Sequence, residues 1–153
     1  MTLADIAGAD GAPQGGAGTR LLAVYEPRPS GTAVLARAAE LVRGGAELTV
    51  VVVARQDVDP PNCTVYGEAY NAQVRGDAAA ELLEARALMG PAGDLARYRV
   101  LVDGRDPPID QWASERFDLA LLPRRRVRRR GSHPAAEALR QTGIRVETVT
   151  GRR

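Results

Sequence analysis

The sequence predicts a single-domain α/β protein, a doubly wound five-stranded parallel sheet with helices on both faces. Three observations lead there. After residue 19, short apolar runs alternate with stretches whose apolar residues recur at helical spacing. The second of these runs, ELTVVVVA from Glu47 to Ala54, is an uninterrupted β-branched segment, as in strands covered on both faces. A chain of 153 residues with 44% hydrophobic content suits one compact domain with a buried core.

Residues 1–19, rich in Gly, Ala, Asp and Pro, read as a flexible leader ahead of a domain over residues 20–150. RLLAVYEP, Arg20 to Pro27, is a buried strand closed by Pro27 and Pro29. Ser30 then serves as the N-cap of a helix that carries Val34, Leu35, Ala38, Leu41 and Val42 on one side and stops at Gly44. Glu47 to Ala54 is the second strand. Arg55 to Tyr66, with Pro60 and Pro61, is a loop. Ala- and Leu-rich sequence from about Glu68 to Met89 is a long helix, weakened in its first half by Gly76 and ended by Gly90-Pro91. Arg97 to Gly104 is a third strand, and Pro107 to Phe117 a short helix with proline in its first turn. DLALLP is a fourth strand, HPAAEALRQTG a fourth helix, and IRVETVT a fifth strand.

Strand–helix alternation with short connections calls for right-handed crossovers and a parallel sheet. Ligands of such sheets bind beyond the C-terminal strand ends, where the strand order reverses. The candidate loops are therefore Tyr25 to Ser30, Arg55 to Tyr66 and Pro123 to His133.

Charge singles out the last of these. All 21 basic residues are arginine, as GC-rich coding would favour, so their placement says more than their identity. Residues 1–115 hold 10 arginines against 16 acids, a net −6, whereas residues 116–153 hold 11 arginines against 3 acids, a net +8. Six of those arginines fall in Arg124 to Arg130, just before Gly131-Ser132 and a helix start. That asymmetry points to an anionic ligand or an acidic partner. The sequence contains no apolar run of about 20 residues and no basic-then-apolar leader, so a membrane span and a secretory signal are excluded and a cytoplasmic protein is expected. Cys63 is the single cysteine, which leaves no disulfide pair and fits a structural thiol.

Element order and partial motifs resemble the universal stress protein family over about Arg20 to Val149. LLAVYEPRPSGTAVLARAAELV is similar to the family's opening strand and helix, FDLALLP to its fourth strand, and GSHPAAEALRQTGIRVETV to its closing Gly-Ser, helix and edge strand. The resemblance implies an aspartate after the first strand in ATP-binding members; here Tyr25 stands there, followed by Glu26, and these two are the candidate nucleoside contacts. It also implies a loop of Gly, two residues, Gly, nine residues, then Gly-Ser or Gly-Thr. Pro123 and Arg126 occupy the two glycine positions, four residues separate Arg126 from Gly131-Ser132, and only that final pair matches. Glycines there let backbone N–H groups approach phosphates; Pro123 has no N–H and Arg126 brings a long side chain.

The resemblance thus implies a non-catalytic regulatory or stress-response module with a degenerate nucleotide site, requiring no cofactor and dimerising through the last strand, Ile144 to Thr150. Two alternatives stand beside it. One is binding of ATP or AMP, with slow ATPase activity, its phosphates held by Arg124, Arg125, Arg126, Arg128, Gly131 and Ser132 at a helix N-terminus. The other is binding of nucleic acid or an acidic protein surface through Arg124 to Arg130, which lacks the interleaved aromatics of base-stacking modules. A solvated loop with Ser132 or His133 as a plain helix cap accounts for the same residues. Asp103 and Asp106 read as turn formers rather than metal ligands, and Trp112, near Ile109 and Phe117, as core. The sequence contains no P-loop, nucleophile elbow, Cys–His pair or metal-ligand cluster, so no catalytic residue is assigned.

Overall fold

The computed structural model describes residues 18–55, 64–124 and 133–151. Five strands form one parallel sheet: β1 Arg20–Val24, β2 Glu47–Arg55, β3 Arg97–Asp103, β4 Leu119–Pro123 and β5 Arg145–Val149, in the order β3-β2-β1-β4-β5. The helices are α1 Pro29–Arg43, α2 Thr64–Met89, α3 Ile109–Ala113 and α4 Pro134–Gln141, with a 3-10 turn at Gly90–Leu95.

The two faces follow from strand alternation, which sends successive side chains to opposite sides. From β1, Leu21 and Ala23 join Val34 and Leu35 of α1 and Leu82 of α2 in one core. Leu22 and Val24 join Trp112 of α3 and Leu139 of α4 in the other. α1 and α2 therefore cover one face and α3 and α4 the second, the doubly wound arrangement that the sequence predicts. The central strands are buried on both sides, so their runs are continuously apolar rather than alternating.

Several boundaries differ from expectation. Arg28 holds the N-cap position of α1 without a side-chain cap bond, and the helix begins at Pro29, not after Ser30, because the fixed φ of proline fits the first helical position and its missing N–H is not needed there. Its left-handed stop is Gly45, φ 99°, one residue beyond Gly44. α2 starts at Thr64, inside the expected loop, and runs 26 residues straight through Gly76. α3 has only five residues, since Pro107-Pro108 precede it and the chain turns again before Phe117. The expected leader falls on residues 1–17, outside the described part of the chain, apart from Gly18 and Thr19. Cys63 also lies outside it.

β1 and β4 are neighbours, yet the chain leaves β1 toward β2 and β3 and returns to the other side through β4 and β5. The crevice of a doubly wound sheet thus opens between the segment after β1 and the segment after β4. Gly31 draws α1 against the first of these: a Cβ there would lie 1.7 Å from the Glu26 carbonyl oxygen.

Candidate functional site

Tyr25 prolongs β1 by one residue, its N–H donating to the Val51 carbonyl at 2.9 Å. Alternation turns its ring to the α2 side, where it is 2% exposed within the core. Burial first, then the carboxylates of Glu84 and Glu81, push its phenol above the ordinary range. The next side chain, Glu26, turns into the crevice. Its Oε1 stands 3.2 Å from Nε2 of His133, the residue that caps α4.

Nδ1 of His133 accepts the Ala135 N–H at 3.2 Å, so Nδ1 carries no proton. With Nδ1 accepting, Nε2 is the ring nitrogen left to donate to Glu26. His133 is 7% exposed, so this bond is largely screened from water. One side chain from the end of β1 and one from the start of α4 therefore bridge the switch point.

Beside the bridge lies a cavity of about 310 Å³ at the C-terminal ends of β1, β2 and β3. Val24, Val53, Leu101, Ile109 and Ala138 supply apolar walls, in addition to the Tyr25 ring. Its ionisable lining among the described residues is Glu26, Glu81, Asp103, Asp110, Arg55 and His133. The Glu81 carboxyl is held above its ordinary range by burial first, then by the carboxylates of Asp77, Glu84 and Glu26.

The residues singled out in the sequence fall in three places. Tyr25 and Glu26 both line the cavity. Arg124 is exposed at the end of β4 and outside the cavity lining; its N–H donates to the Val149 carbonyl at 2.9 Å, extending the β4–β5 ladder. Arg125, Arg126, Arg128, Gly131 and Ser132 lie outside the described residues, as do Arg129 and Arg130. Pro123, at one glycine position of the family loop, is the last residue of β4, in register with Val149. Asp106 forms the turn expected of it, its carboxylate accepting the Val102 N–H at 2.7 Å, while Asp103 lines the cavity. Trp112 is core, 5.2 Å from the Phe117 ring, with the guanidinium carbons of Arg99 and Arg116 at 5.2 and 5.6 Å from its centroid.

Sequence reasoning read His133 as a cap and missed its second bond. It placed Arg55 only as the first residue of a candidate loop, and it missed Glu81 and Asp110 as site residues. Position at the C-terminal end of β2 marks Arg55, and the proline-led start of α3 marks Asp110; nothing local marks Glu81, one of several polar residues on a long helix.

The fold and its cavity define a doubly wound α/β domain with a cavity at the C-terminal ends of its central strands. Solved structures narrow this further. A protein of the universal stress protein family from Burkholderia pseudomallei is 20% identical, with 86% of this chain and 95% of that one covered and a TM-score of 0.64. The universal stress protein UspA from Lactobacillus plantarum is 13% identical, with 87% and 98% covered and a TM-score of 0.70. A universal stress protein in complex with cAMP is 19% identical, with 88% and 98% covered and a TM-score of 0.61. No protein-family model matches the chain, and no curated protein matches it in sequence. The chain carries the universal stress protein fold, as the resemblance implied. Among the described residues no helix is long and apolar enough to cross a membrane.

Proposed function

We propose that the protein is a non-catalytic member of the universal stress protein family, a cytoplasmic regulatory or stress-response module whose ancestral nucleotide site no longer holds ATP. The observation that carries this reading is the Glu26–His133 bond at 3.2 Å. It spans the crevice where a doubly wound domain receives phosphates. It places a carboxylate in that crevice, and it commits the His133 ring to capping α4. Tyr25 at the aspartate position, with Pro123 and Arg126 at the glycine positions, points the same way. Equilibrium dialysis against labelled ATP tests it. Retention no greater than that of a non-binding control is expected; saturable retention at micromolar ATP contradicts the reading.

A second reading is favoured by one observation, the complex of a protein of this fold with cAMP. On it, the Arg124 to Arg130 loop and Gly131-Ser132 take the phosphates in place of the glycine cradle, and ATP or AMP is the ligand, with slow hydrolysis. Alanine at Arg124, Arg126 and Arg128 together then abolishes nucleotide retention; unchanged retention removes this reading. Binding of nucleic acid by the same loop predicts gel retardation of RNA or DNA at low salt that fades steeply as salt rises.

Homodimerisation belongs to the proposal as well. β5 ends the sheet order and is half-buried along most of its length. Its Glu147 is drawn to Arg37 of α1 at 3.0 Å rather than standing as a charged guard on the edge. Light scattering is expected to give the mass of two chains, and a monomer mass rejects the dimer.

A further inference from the structure

We infer that the open edge of β3 takes up an extended acidic segment of a partner protein, one that alternates carboxylate and apolar side chains and adds a sixth strand to the sheet. The inference concerns that edge alone and does not depend on whether the crevice holds ATP.

β3 ends the sheet order, so one side of its backbone has no strand beside it among the described residues. Asp106 shows which groups face outward. Its carboxylate accepts the Val102 N–H at 2.7 Å, and its own N–H donates to the Val102 carbonyl at 2.8 Å. In a parallel strand both groups of one residue point the same way and alternate residues point opposite ways. Tyr98 and Val100 therefore turn their N–H and C=O groups outward as Val102 does, and no described residue caps them. The Asp106 turn closes the C-terminal end of the edge and leaves it open from Arg97 to Val100. Such an edge is a template for an extended chain, which bonds through its backbone and is selected by its side chains.

The side chains beside the edge say which chain fits. On the α3 side, Arg97 and Arg99 of β3 and Arg116 are exposed. The guanidinium carbons of Arg99 and Arg116 lie 5.2 and 5.6 Å from the centroid of the Trp112 ring. Among the described residues no carboxylate stands within ion-pair distance of any of the three. The indole holds two of these guanidiniums in place, which lowers the ordering cost of meeting a carboxylate. On the α2 side the same edge shows Tyr98 and Val100, half-buried against the core. A strand laid along β3 sends alternate side chains to the two sides, so its carboxylates meet the arginines and its apolar side chains continue the core.

Calorimetry with a blocked hexapeptide of alternating glutamate and valine tests this, beside the fluorescence of Trp112, the chain's single tryptophan. Saturable binding below about 1 mM is expected, with a fluorescence change of the same midpoint. Lysine in place of the glutamates removes the attraction, and proline in place of the valines prevents strand pairing; each is expected to weaken binding at least about tenfold. Arg97→Ser with Arg99→Ser is expected to weaken the glutamate peptide at least about tenfold, with circular dichroism unchanged. Arg97→Ser alone, which leaves the Trp112 contacts intact, is expected to weaken it about threefold and keeps the test decisive should the double variant unfold. Absence of binding at about 1 mM overturns the inference, as does equal binding of the lysine or proline peptide. Unchanged affinity of the arginine variants overturns it too, because the peptide would then sit on the Arg124 to Arg130 loop. So does displacement of the peptide by an equal concentration of oligothymidylate, which would make the patch a reader of phosphate charge.

Discussion

The two helix starts that flank the switch point are built in opposite ways. α1 begins with backbone pressed on backbone: a Cβ at Gly31 would meet the Glu26 carbonyl oxygen at 1.7 Å, and one at Gly151 would meet the Pro29 carbonyl carbon at 2.6 Å. α4 begins on side chains, with His133 capping the helix through Nδ1 and reaching Glu26 through Nε2. The first contact leaves no room for variation. The second rests on one imidazole and one carboxylate, and replacing either changes the chemistry without moving the backbone. A fold can thus keep its architecture at α1 while its binding properties change at α4.

Substitutions break or sharpen that contrast. Gly31→Ala strikes the rigid side and has the largest expected effect, a loss of about 3 kcal/mol or more, because the clash is with backbone and cannot be relieved by rotamer change. Urea denaturation reads it directly, and a loss below about 1 kcal/mol would show that the α1 start is not sealed. His133→Ala strikes the side-chain-built start. It removes the cap and leaves Glu26 without that donor, an expected cost of about 1–2 kcal/mol with the fold retained by circular dichroism. Gly151→Ala is expected to cost about 1 kcal/mol, since that contact lies near the chain end, where the backbone yields more easily. Gly76→Ala serves as the control remote from both starts: an added methyl meets nothing within 4 Å, so α2 gains about 0.5–1 kcal/mol from reduced unfolded-state freedom.

The smallest effect is one of pH. Because the folded protein holds the Glu81 carboxyl above its ordinary range, it keeps a proton longer than the unfolded chain does as pH rises. Stability from this group is therefore present at acid pH. It is lost as pH climbs from the unfolded glutamate value, about 4.3, through the higher folded one. Glu81→Gln is expected to raise the melting temperature at about pH 7 and leave it nearly unchanged at about pH 4. A drop at neutral pH would show that the carboxylate is stabilising, and would contradict the picture of a Glu81 carboxyl pressed by burial and by neighbouring carboxylates.

The architecture was legible because it is written in local patterns. The ELTVVVVA run marks a strand buried on both faces, and the strand–helix alternation marks the parallel sheet. Boundaries were less legible where proline chemistry competes with helical spacing, as at Pro29 and at Pro107-Pro108. The loop after β4 was located by its position in the fold and by its charge. What the sequence did not disclose is the Glu26–His133 pair, whose members stand 107 residues apart and meet only because β1 and β4 are neighbours. Glu81 was illegible for the same reason: its place in the cavity depends on how α2 lies across the sheet, which no periodicity along a helix of mixed polar residues encodes.

His133 is the chain's single histidine, so one imidazole reports on the closure of the crevice without overlap. The most direct test is a long-range ¹⁵N–¹H spectrum of the labelled protein, recorded before and after addition of ATP. The account predicts the tautomer protonated at Nε2, with a bare Nδ1, and ring nitrogen shifts that ATP leaves in place. A ring protonated at Nδ1, or nitrogen signals that move as ATP is added, would contradict it.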